Sequence, residues 1–95
     1  MNLTIRPTQA LVIVALTTAT TGGLGGMLES CKVELADLET SLNNLIQTHK
    51  LAIHPTAIQW TLRHIEHASQ RSDGMGQTFD ICDASWRPVM LVVLT

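Results

Sequence analysis

The sequence predicts a mainly α fold organised around an antiparallel helical hairpin, residues 27–51 and 55–71. Three observations lead there. A strict heptad of apolar residues runs through the middle of the chain. A proline then breaks it and opens a second stretch with the same spacing. Glycine clusters, GGLGG at Gly22–Gly26 and GMG at Gly74–Gly76, mark off apolar segments at both ends.

The first element is ALVIVAL, Ala10–Leu16, inside an uncharged run that reaches Leu28. Its Val-Ile-Val centre suits a strand as well as a short helix, and as a strand it could pair with Val89–Leu94. Thr17–Gly26 reads as the connector that follows. A competing reading takes Ala10–Leu28 whole. About 20 residues cross a bilayer, Arg6 and Glu29 flank the run, and Gly22 and Gly26 have the GxxxG spacing of closely packed membrane helices. The threonines and glycines weaken that driving force, and no Trp or Tyr anchors either end.

The heptad gives the first helix, 27–51. Leu28, Cys31, Leu35, Leu38, Leu42 and Leu45 follow at spacings of 3, 4, 3, 4 and 3, and His49 extends the row by 4. Acids crowd its first half and Lys50 closes it, both in keeping with the helix dipole. So narrow a seam faces one or two other helices, and it is also the natural oligomerisation surface: Leu28, Leu35, Leu38, Leu42, Leu45.

Pro55 cannot continue that helix but fits the first turn of another. Ile58, Leu62, Ile65 and Ser69 repeat the 4, 3, 4 spacing, which sets the second helix at 55–71 with Gly74 as a left-handed cap. The C-terminal VMLVVL, Val89–Leu94, is short and β-branched and reads as a buried strand. The apolar segments 10–19 and 88–95 are expected to dock on the hairpin, and their pairing as strands would make the fold α+β.

Ninety-five residues form one small domain, 1–95. Charged residues are 15% of the chain, against about 25% in ordinary proteins. Few solubilising groups favour burial against a partner. The six basic residues stand singly and the net charge is −2, which argues against nucleic acid, since no run neutralises several phosphates. Two cysteines without CxxC spacing make no disulfide framework, and Cys31 on the seam reads as a buried, inert thiol. The glycine-rich TTGGLGG lacks the Lys-Ser/Thr of a phosphate-binding loop.

One surface stripe remains. Trp60, His64, His67 and Arg71 share a face of the second helix at spacings of 4, 3 and 4. Trp and Arg are enriched at interface hot spots, so this stripe is the expected partner-binding site. His64 and His67 alone fall short of the three or four ligands of a zinc site, and no cofactor is expected.

The expected function is a non-enzymatic protein-interaction or self-association module, acting in the cytoplasm through the heptad-patterned hairpin. Its partner would be another protein or a second copy. The low aromatic content and the absence of Tyr suit a small phage or virus accessory protein. The alternatives are a single-pass membrane-anchored regulatory or assembly protein with 10–28 as its span, and a small metal-binding protein using His64 and His67.

Overall fold

The computed structural model describes residues 5–15 and 27–95. Its elements run β1 (Gln9–Ala15), β2 (Met27–Glu34), a 3-10 turn (Leu35–Asp37), α1 (Leu38–His49), α2 (Pro55–Ser69), a second 3-10 turn (Ser72–Gly74), β3 (Thr78–Cys82) and β4 (Pro88–Leu94). The four strands form one antiparallel sheet in the order β2-β1-β4-β3. Two β-hairpins are thus zipped together through β1 and β4, with the helices laid on one face. The fold is α+β, which corrects the mainly helical expectation.

The correction falls on residues 27–37. Met27–Glu34 is a strand, and the first helix starts only at Leu38. Two periods coexist here. The heptad spacing of Leu28, Cys31 and Leu35 suggests a helix, yet Ser30, Cys31, Lys32, Val33 and Glu34 alternate polar and apolar. Cys31 and Val33 are half-buried while Ser30, Lys32 and Glu34 are exposed. The alternation prevails because β1 carries a free edge that β2 satisfies along its length, Gln9 opposite Glu34 through Val14 opposite Glu29. Helix propensity is a weak prior against such a ladder.

The central strands are the apolar segments at the two ends of the chain. Ala10 lies opposite Leu94, Val12 opposite Val92 and Val14 opposite Met90. All six are buried. Leu38, Leu42 and Leu45 of α1 and Ile58, Ile65 and Ala68 of α2 join the same core. The heptad leucines therefore pack on the protein's own sheet, and Leu38, Leu42 and Leu45 are closed to a second molecule. Leu35 lies in the 3-10 turn, half-buried, and Leu28 lies on β2.

Helix ends follow local chemistry. Lys50 adopts φ 52°, ψ 47° and its N–H donates to the carbonyls of Gln47 and Ile46, closing α1. His54 caps α2: its Nδ1 accepts from the Thr56 N–H at 3.1 Å, ahead of Pro55. α2 ends at Ser69, and Gly74 is no left-handed cap. Gly74 is instead buried in its 3-10 turn beneath the Ala68 carbonyl, where a Cβ would overlap the oxygen. Glu29 and His49 pair at 2.9 Å, joining β2 to the end of α1.

Gln9–Ala15 and Met27–Glu34 are strands, so 10–28 is not one spanning helix; among the described residues no helix is long and apolar enough to cross a membrane. The connector and glycine cluster of Thr17–Gly26 lie outside the described residues. Cys31 and Cys82 are free and half-buried. They stand on the two outermost strands, three spacings of about 4.8 Å apart, beyond the reach of a disulfide.

Candidate partner-binding site

The five residues Asp83–Arg87 turn the chain from β3 into β4. Asp83 organises them. Its Oδ1 accepts from the N–H of Ser85 at 2.8 Å and of Arg87 at 3.0 Å. Its main chain bonds Arg87 and Trp86, both at 2.9 Å, and the N–H of Ala84 donates to Ala52 between the helices at 3.0 Å. The Arg87 N–H, then the Ser85 N–H and the Arg87 charge, hold the Asp83 carboxyl below its ordinary acidity range, against a smaller opposing effect of burial.

This framework holds Trp86 at φ 62°, an uncommon conformation for a bulky residue, with 85% of its surface exposed. Backbone of this kind persists where its surroundings over-determine it, and it clusters at functional sites. The second exposed tryptophan, Trp60 on α2, is 63% exposed. His64, one turn later, stacks against it with centroids 5.9 Å apart and planes inclined by 30°.

Both tryptophans line one cleft of about 580 Å³ between α2 and the β3–β4 turn. His54, Ala57 and Thr61 of the helical side face Asp80, Ile81 and Cys82 of β3 across it. Most of the lining is apolar. Its polar groups are largely spent on structure: His54 caps α2 and Asp83 ties the loop. β3 ends the sheet, and among the described residues no hydrogen bond reaches its outer edge from a helix or loop. The cleft therefore combines aromatic walls with an open strand edge.

The sequence-predicted stripe is divided by this geometry. Trp60 lines the cleft and His64 steadies it. His67 is exposed further along α2, and Arg71 is engaged by Asp73 at 2.9 and 2.8 Å. His64 and His67 meet no third ligand: among the described residues no group of three or more His, Cys, Asp or Glu could hold a metal. Trp86 and Asp83 escaped the sequence reading. Their signal was DASWRP itself, an Asp-x-Ser turn carrying a tryptophan between two strand-like runs. Comparison with known protein families, characterised proteins and solved structures finds no match for the chain.

Proposed function

We propose that the protein is a non-enzymatic interaction module that takes an extended segment of a partner protein along the outer edge of β3. The carrying observation is that two of its three aromatic residues stand exposed around a single apolar cleft. Exposed tryptophans in a small chain are costly to solubility unless they bind, and Trp is the side chain most enriched at interface hot spots. Strand addition supplies main-chain hydrogen bonds, and the cleft supplies side-chain selectivity. The fixed Asp83–Arg87 loop lowers the ordering cost of binding.

The test is selection of a random peptide library on the immobilised full chain, counter-selected on the Trp60→Ala/Trp86→Ala variant. An apolar consensus is expected on the wild type, bound at least tenfold tighter than by the variant. A consensus that binds both proteins equally, or no consensus, sinks the proposal.

A further inference from the structure

The chain's own hydrogen bonds fix which groups of β3 are left for a partner. The Gln77 carbonyl accepts from the Leu94 N–H at 3.0 Å, and the Asp83 N–H donates to the Arg87 carbonyl at 2.9 Å, so both residues turn inward. Main-chain groups alternate sides along an antiparallel strand. Thr78, Asp80 and Cys82 therefore point their N–H and C=O groups outward, and among the described residues none of these groups bonds a loop or helix. A strand added here has Asp80 at the centre of its pairing.

Side chains alternate too, between the two faces of the sheet. Phe79 and Ile81 pack with the core on the helix side, and Ile81 lines the tryptophan cleft. Asp80, opposite Leu91, lies on the other face and is exposed. Among the described residues its carboxylate enters no ion pair. The second carboxylate at the cleft, Asp83, is already matched by Arg87, and no Lys or Arg lines the cleft. The edge thus carries one uncompensated negative charge, on a residue whose main chain faces outward.

Resting on the strand-addition reading, we infer that the bound segment carries a basic residue, Lys or Arg, directly opposite Asp80, with an apolar residue on each side of it. Opposed residues of an antiparallel pair share a face, with Cβ atoms about 5 Å apart. The basic side chain therefore meets the Asp80 carboxylate on the face away from the helices. Its neighbours turn to the helix face. One lies opposite Ile81 and enters the tryptophan cleft; the other lies opposite Phe79. Asp80 is then the specificity-determining residue, and the tryptophans are the anchors. The charge also sets the register, because a slip of one residue would turn the cation into the apolar cleft and the apolar side chains out of it.

Calorimetric titration of the full chain with capped pentapeptides Thr-Leu-X-Leu-Thr, X being arginine or glutamate, tests this. The arginine peptide is expected to bind about five- to tenfold tighter. Asp80→Lys, an exposed edge substitution whose folding circular dichroism checks, should invert that preference. Trp60→Ala/Trp86→Ala should weaken both peptides. If both peptides bind the wild type equally and still need the tryptophans, the inference falls and the strand-edge reading stands. If neither binds at millimolar concentration, the inference falls, and the library selection decides the strand-edge reading by itself. A chain that pairs with its own copies at this edge and excludes both peptides also overturns it.

Discussion

His64 stacks on Trp60 one helical turn away, at a centroid separation of 5.9 Å. The contact does little for stability, because both rings are exposed. Its effect is to limit the directions an otherwise free indole can take at the mouth of the cleft. His64→Ala should therefore lower the unfolding free energy by less than about 1 kcal/mol. It should weaken a peptide selected on the cleft by roughly three- to tenfold, since the indole must then be ordered on binding. Urea unfolding and calorimetric titration separate the two effects; a stability loss with unchanged affinity would contradict this role.

Gly74 gives a prediction from space rather than backbone freedom. A Cβ there overlaps the Ala68 carbonyl oxygen, which is main chain at the end of α2 and cannot swing aside. Gly74→Ala should cost about 1–3 kcal/mol, as overpacking does. Gly76, at φ +82° with open space around it, tests a different mechanism. Gly76→Ala should destabilise through left-handed strain alone, by about 1–2 kcal/mol. Chemical denaturation measures both, and Gly76→Asn, which tolerates that conformation, should recover part of the second loss but not of the first at the corresponding Gly74→Asn.

Asp83 predicts how the Trp86 loop responds to acid. Its carboxyl is more acidic in the folded loop than its ordinary value of 3.8, chiefly because the Arg87 N–H bonds the charged form. The sign follows. A lowered folded value stabilises the loop above the unfolded value, and that stabilisation is lost as pH falls through the folded one. In a Trp60→Phe background, fluorescence anisotropy of Trp86 should be level at neutral pH and fall below about pH 4. Asp83→Asn keeps an acceptor oxygen and should remove the acid step, whereas Asp83→Ala should lower the anisotropy at every pH.

The second helix, the later part of the first and the C-terminal strand were legible because each has one dominant period, whereas 10–15 suited a strand and a short helix equally. Leu42, Leu45, Ile58 and Ile65 mark buried helical faces, and the β-branched run Val89–Leu94 becomes a paired strand. Residues 27–34 were not, because two periods overlap there and the choice depends on β1, which lies beyond any local window. Trp60 was legible as a surface aromatic on a helix. Trp86 was not, since its exposure depends on the hydrogen bonds that Asp83 makes once the loop closes. The two apolar faces of β1 and β4 were equally hidden: a continuous apolar run shows that a strand is buried, not which neighbour covers each side.

Leu42 distinguishes a core role for the heptad from an oligomeric one. Its side chain is fully buried, and it shares its core with residues of the central strands. Leu42→Ala should lower the unfolding free energy by about 2–5 kcal/mol, through lost transfer energy and the cavity left behind. Because the leucine serves its own chain, that loss should be the same in dilute and in concentrated protein solution. A seam between molecules would behave differently: the variant would be nearly neutral in dilute solution and would lose its dimer. Denaturation curves at two protein concentrations, compared with sedimentation of Leu42→Ala, decide between them. The buried leucine requires a large shift that is the same at both protein concentrations.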